Sequence, residues 1–553
     1  MTKEIWQKVT PQLEKYSANL SQYNEIKPAG FFSCQSRTNL ALEQFVKVKG
    51  VCRILLLNSF DNPLYRELLS ERLSELVANE EIPVVMSETL SSYDMFPILQ
   101  AEKGYIINEM PGLLDHANGG YLIVSANWIL ANAKDWPELK AAVMGYSING
   151  RNCDPRSPIH AQWTKQYDVK LIITGEREQL ANLDFLDADL RDGVAFYSEI
   201  EQDFALTTTS INSYLSYIKW ICKRYSLPEL TNSALEILLT TGTRQTEDQN
   251  YVPTSLLWLR AILEEASIGT DEKIDEGDIH RAIQNKYYRE SYLPERAAND
   301  ILEGQVLIET RGEHVGQVNG LTVIDIAGHP MSYGEPARIS CVVHFGDGDI
   351  SDVERKADLG GSLHAKGMMI MQAFVSSALK LDSPLPYSAS IVFEQSYSEV
   401  DGDSASLAEV CSLLSALSEV PIDQQIAVTG AVDQFGRVQA VGGLNEKIEG
   451  FFRVCKHQGF TGKQGVILPE TNLINLSLNT DVIESLKKGE FHLWPVTNVD
   501  QAVPIILKRA FRTSDKEQTT LSIVDEINKR IDKLDELSEP SSLWQRIKNY
   551  FCH

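Results

Sequence analysis

No run in this 553-residue sequence approaches the eighteen or so apolar residues that a membrane-spanning helix needs. The N-terminus, MTKEIWQKVTPQLEKY, is polar and amphipathic and has no apolar signal core. Basic residues are few: 51 Lys and Arg stand against 76 Asp and Glu, a formal net charge of −25. That balance opposes nucleic acid, whose binders carry a basic face, and it opposes anionic membranes too. The eight cysteines include no C-x-x-C pair and no clustered framework, so reduced thiols in a cytoplasmic protein fit best. None of the ten histidines falls into H-E-x-x-H or a comparable spacing, which leaves metal catalysis without support. No internal repeat or low-complexity tract is present.

What remains is ordinary globular material, 43% hydrophobic and 23% charged, long enough for several domains. Residues 1–30 read as an N-terminal helical segment with a polar connection. Between 31 and 205, apolar runs such as Arg53–Leu57, Ile82–Met86, Tyr121–Val124 and Lys170–Thr174 alternate with amphipathic stretches. That alternation predicts an α/β domain with a mainly parallel sheet. From 206 to 300 apolar residues recur at three and four, as in TSLLWLRAILEEASI, predicting a helical subdomain. From 301 to 510, β-branched strands and Gly-marked turns precede helices near 364–380 and 405–418, giving a second, α+β domain. A charged tail fills 511–553, with a helix at 520–537 and an amphipathic end, SSLWQRIKNYF, that more often packs on its own domain than on a partner.

Two segments of the last domain carry chemistry. In DGDSASLAEVCSLLSAL (401–417), Leu407, Val410, Cys411, Leu414 and Leu417 fall at helical spacing. Asp403 or Ser404 is then expected at the N-cap. A serine there meets N–H donors and a positive helix end, which suits a developing oxyanion. Taken alone, the pattern fits a capped helix better than a catalytic turn. In IAVTGAVDQFGRVQAVGGLNEKIEGFF (426–452), the order is strand, turn (Asp433–Gly436), strand, Gly-Gly, helix. Asn445 is a good N-cap and places Lys447 in the first turn, where the helix end disfavours a cation and, with desolvation, lowers its pKa. An exposed lysine in a first turn is also common.

Together, DGDSAS and the lysine of GGLNEK, forty-three residues on, resemble the proteolytic domain of the Lon family. Asp403, where other Lons have Pro, and Ser406, where others have Gly, resemble the B-type branch. The likeness runs through GGSLHAKG, FEQSYSEVDGDSAS, PIDQQIAVTGAVDQFGRVQAVGGLNEKIEGFF and GFTGKQGVILP. The resemblance implies a Ser-Lys serine endopeptidase with Ser404 as nucleophile and Lys447 as base, and with Thr429 as a support that orients the lysine. It implies protein or peptide substrates and a homo-hexameric ring. His364, in LHAKG, is expected to be structural.

Lon proteins join such a domain to an ATP-driven AAA+ module, and 31–300 resembles its layout. FFSCQSRTNLALEQF resembles its opening helix, NGGYLIVSANWIL a core strand, and Arg260 lies where a lid arginine reaches a nucleotide or where a surface arginine would stand. The nucleotide chemistry is missing, however. After RILLL the chain reads NSFDNPLYRELLSERL, with no glycine and no GK[ST] to cradle phosphates. Ser125-Ala126 stands where the family has Asp-Glu. The expected architecture is a degenerate AAA+-like α/β domain with a helical lid, then a Lon-type α+β proteolytic domain. The expected activity is proteolysis without ATP hydrolysis. An ATP-dependent Lon with a nonstandard site and a non-enzymatic ring adaptor or chaperone are the alternatives.

Overall fold

In a computed structural model, the structure describes residues 5–77, 82–89, 91–160, 162–380, 385–396, 400–512 and 521–538. The chain forms two compact units. One comprises residues 18–229 and 253–264; the other comprises 230–252 and the chain from 265 on, with the N-terminal 17 residues. The helical stretch 206–300 is thereby divided between them.

The first unit is built on five strands: β1 (Ile54–Asn58), β2 (Val84–Met86), β3 (Tyr121–Ser125), β4 (Lys170–Gly175) and β5 (Ala195–Glu199). They lie in the order β5-β1-β4-β3-β2, and every pair is parallel. Near-continuous apolar runs suit strands covered on both faces, and β1, β3 and β4 are buried almost throughout. After β1 comes helix α1 (Pro63–Leu76), capped by the Asn62 side chain, which accepts from the Leu64 N–H at 2.9 Å. Pro63 occupies the first helical position, where its missing N–H costs nothing. Helix α2 (Ala126–Ala131) follows β3 and is capped by Ser125.

The second unit includes helix α3 (Asn232–Gln245) and centres on a seven-stranded mixed sheet. Its strands are β6 (Gln317–Ile324), β7 (Tyr333–Phe345), β8 (Ile350–Asp352), β9 (Tyr387–Glu394), β10 (Ile426–Val428), β11 (Gln464–Pro469) and β12 (Phe491–Val496). Their order is β8-β9-β7-β6-β10-β11-β12. Helices α4 (Ser362–Leu379), α5 (Ser406–Ser418) and α6 (Leu444–Gln458) complete the frame.

Alternate residues of one strand feed two different cores. Ile426 and Val428 join α4 and α5 in one, whereas Ala427 joins α6 in the other. Period-two alternation of side chains across a strand produces that division. The sheet therefore carries α4 and α5 on one face and α6 on the opposite face. Anything contributed by both α5 and α6 must meet beyond the strand ends.

Local expectation fails at the N-terminus and holds at the tail helix. Pro11 lacks an N–H and breaks the N-terminal helix, leaving Ile5–Lys8, a 3-10 turn at Leu13–Tyr16 and Ser17–Ser21. The tail helix runs Ile523–Ser538, while SSLWQRIKNYF lies outside the described residues.

Candidate active site

Ser404 sits in the turn immediately before α5. Gly402 opens that turn at φ +105°, a conformation that L side chains rarely adopt. Neither Asp403 nor Ser404 caps the helix: α5 begins at Ser406, with Ala405 at the N-cap and no side-chain cap bond. The turn is held instead by the chain just past β10. The Ser404 carbonyl accepts from the Gly430 N–H at 2.9 Å and from Thr429 Oγ1 at 3.3 Å. The Gly430 carbonyl in turn accepts from the Leu407 N–H at 3.1 Å. Ser406 Oγ donates to the Asp403 carbonyl at 2.8 Å and accepts from the Val432 N–H at 2.9 Å. Asp401 closes the other side, accepting from the Leu363 N–H at the start of α4 (3.1 Å).

Lys447 arrives from the opposite face of the sheet. Its helix is capped by Gly443 at φ +63°, not by Asn445. Asn445 is the second helical residue, and its buried amide accepts from the Ser477 N–H (2.8 Å) and donates to the Asn475 carbonyl (3.2 Å). Helix α6 lies backbone to backbone on β7. A Cβ at Gly334 would stand 2.1 Å from the Glu446 carbonyl oxygen, and one at Gly450 2.1 Å from that of Gly334. No larger residue fits either place.

The result is a meeting of two side chains across the strand end. Lys447 Nζ lies 3.0 Å from Ser404 Oγ. Lys447 is only 2% exposed, and burial pushes its amine down to about 8, against the opposing pull of Asp403 and Glu247. A buried amine with so low a pKa, at hydrogen-bond distance from a hydroxyl, can take that hydroxyl's proton near neutral pH. Of the residues picked out in the sequence, Ser404, Thr429 and Lys447 come together. Thr429 is fully buried, and its hydroxyl hydrogen-bonds the Ser404 carbonyl.

His364 is buried elsewhere, against the first turn of α5. Its Nε2 lies 3.2 Å from Asp352 and its Nδ1 3.8 Å from Glu409. Glu354, beside them, accepts from the Phe393 N–H at 3.0 Å. Burial lifts Glu409 to about 7. Burial also works to lower the His364 pKa, but Asp352 and Glu409 raise it overall. Neither Glu409 oxygen has a hydrogen-bond partner among the described residues. One signal pointed here: Glu409 is the only charge between Ser404 and Ser418, in a helix whose thirteen residues are all buried.

In the first unit, the ends of β1, β3 and β4 converge on Asp61. Its carboxylate accepts from Arg66, from Ser125 Oγ (3.0 Å), from Asn127 Nδ2 (2.6 Å) and from Gln179 Nε2 (3.1 Å). Arg66, itself buried, also pairs through two nitrogens with Glu88. Burial works to raise Asp61, but the bonds from Arg66, Ser125 and Gln179 hold it below the usual carboxylate range. Arg260 pairs with Glu264 at 2.5 Å and lies 4.0 Å over the Tyr225 ring. The Asp61 network was not foreseen from the sequence.

These two regions define a mixed α/β protein with an AAA-like N-terminal region and a peptidase-type C-terminal domain. Residues 391–509 match the Lon protease (S16) C-terminal proteolytic domain, and 81–199 match the LonB-like AAA domain. A Lon protease homolog of Escherichia coli strain K12 is 38% identical over 556 residues, with 94% of each chain covered. One from Haemophilus influenzae Rd is 42% identical over 443 residues, 79% of this chain and 73% of that one. An archaeal Lon protease of Methanocaldococcus jannaschii is 41% identical over 116 residues, 21% of this chain and 15% of its own. The chain belongs to the Lon protease family. Among the described residues, no helix is long and apolar enough to cross a membrane.

Proposed function

We propose that this chain is a serine endopeptidase acting on unfolded or loosely folded proteins, with Ser404 as nucleophile and Lys447 as general base. The observation that carries the reading is the 3.0 Å approach of a buried Lys447 Nζ to Ser404 Oγ. Neutral Lys447 accepts the Ser404 proton as Oγ attacks a peptide carbonyl. The resulting ammonium then protonates the departing amine, and water, deprotonated by the same lysine, hydrolyses the acyl-enzyme. Thr429 supports the dyad by fixing the Ser404 backbone through its carbonyl.

The AAA-like region acts in this reading as a scaffold that hydrolyses no ATP. The residues at its strand ends do not fit a nucleotide. A phosphate cradle needs free N–H groups and a lysine, whereas here Asp61 supplies an anion of its own and takes the nearby donors. A second anion would meet that carboxylate. Without ATP-driven pulling, substrates must already be loose, which favours protein catabolism of unfolded chains. Family likeness supports a homo-hexameric ring and a cytoplasmic setting.

Purified protein and its Ser404→Ala variant, incubated with casein, test the assignment. Wild type is expected to cleave and the variant not to. Equal cleavage by both would overturn Ser404 as nucleophile. No cleavage by either under any condition would favour a ring adaptor.

A further inference from the structure

Lys447 is useful as a base only while the negative charge around it is contained. Two carboxylates act on it directly, Asp403 on the nucleophile turn and Glu247 just past α3, and Glu446 and Glu449 flank it along its own helix. Any of these, left unpaired, favours the ammonium form. Glu446 and Glu449 share one cation. Arg244, near the end of α3, reaches Glu449 through two nitrogens at 2.6 and 2.9 Å and Glu446 at 3.3 Å. It also donates to the Ser477 carbonyl at 3.1 Å, beside the loop that Asn445 grips. Burial pushes the Glu446 carboxyl up while Arg244 pulls it down. Farther along α6, Arg453, Glu335 of β7 and Asp300 form a separate group, and Tyr287 faces Arg244.

We propose that Arg244 is a positioning residue for the Ser404–Lys447 pair: its guanidinium neutralises the two carboxylates flanking Lys447 and seats the first turns of α6. The three charged groups are half-buried beside the first turns of the lysine's own helix, where one guanidinium meets both carboxylates. Arg244 supplies a fixed, permanently charged fork that matches carboxylate geometry. The inference rests on the peptidase reading of Ser404 and Lys447.

The test follows Ser404 itself and not protein turnover. The full chain is reacted with a fluorophosphonate, which phosphonylates an activated serine with loss of fluoride. The rate is read against pH by mass spectrometry of the Ser404 peptide. Wild type should react faster as pH rises, with a midpoint set by Lys447. Arg244→Met is expected to move that midpoint upward and slow labelling at pH 7 about three- to tenfold. Arg244→Lys should recover part of the loss. Glu446→Gln with Glu449→Gln, leaving Arg244 in place, should move the midpoint the other way. Opposite shifts support the assignment, and the double variant keeps the test valid if Arg244→Met does not fold. Unshifted midpoints, with only slower rates, would overturn it. A wild type that fails to label at any pH would instead overturn the peptidase reading.

Discussion

The two compact units each bury a polar centre at strand ends, and the two centres are built on opposite plans. Around Asp61, each charge meets an opposite charge, and the carboxylate accepts from four different side chains. Around Lys447, an amine is buried with a single hydroxyl at hydrogen-bond distance, and its pKa is depressed. A satisfied network rigidifies a fold. An under-satisfied base costs stability and keeps its reactivity. Where the family's nucleotide chemistry is expected, this chain has the first arrangement; where its proteolytic chemistry is expected, it has the second.

The comparison breaks most visibly at the dyad. Lys447→Met should lower proteolysis by at least about 10³-fold, measured on casein at saturating substrate. The same variant should be more stable at pH 7 by roughly 3 kcal/mol in denaturant unfolding. Because the folded-state pKa lies below its unfolded value, the burial cost is full below about pH 8 and vanishes toward pH 10.5. The gain should therefore fade in alkali. Asp61→Ala should act in the reverse sense. It removes one of two anions from buried Arg66 and should cost about 2–3 kcal/mol in the first unit, read by calorimetry. Its effect on Ser404 labelling should be small.

Two pH effects sharpen the contrast. Proteolysis by wild type should rise roughly tenfold between pH 7 and 9 as Lys447 loses its proton. Stability should run the other way near neutrality. Glu409 is held up at about 7 and His364 is also raised, so the folded chain holds more protons than the unfolded one between about pH 5 and 7. Stability is lost as pH rises through that window. Glu409→Gln should flatten the fall, by about 1–2 kcal/mol at pH 8 in unfolding experiments. Asp352 lies below its ordinary value, so its share is lost only in stronger acid.

The strands of both units were legible because their apolar runs are long and bounded by turn residues. RILLL, YLIV and KLIIT became β1, β3 and β4 within a residue or two. Helix starts were less so. Asn445 and Ser404 carry good capping chemistry, but each side chain is engaged by a residue distant in sequence, Asn445 by Ser477 and Ser404 by Lys447. The cap then passed to Gly443 and Ala405. The pairing of Ser404 with Lys447 was legible only through a motif pair, since local patterning made each residue only plausible. Asp61 and Arg244 were missed for one reason: their partners stand five to 233 positions away, and nothing local marks them; around His364 the one local mark was Glu409, a lone charge in an apolar helix.

The contrast between a locked strand-end network and the proposed Ser404–Lys447 dyad is tested most directly by the rate of casein cleavage in a chelator, without nucleotide, compared with the rate in ATP and Mg²⁺. The account predicts the same rate in both conditions. Cleavage that appears only with ATP and Mg²⁺ would contradict it.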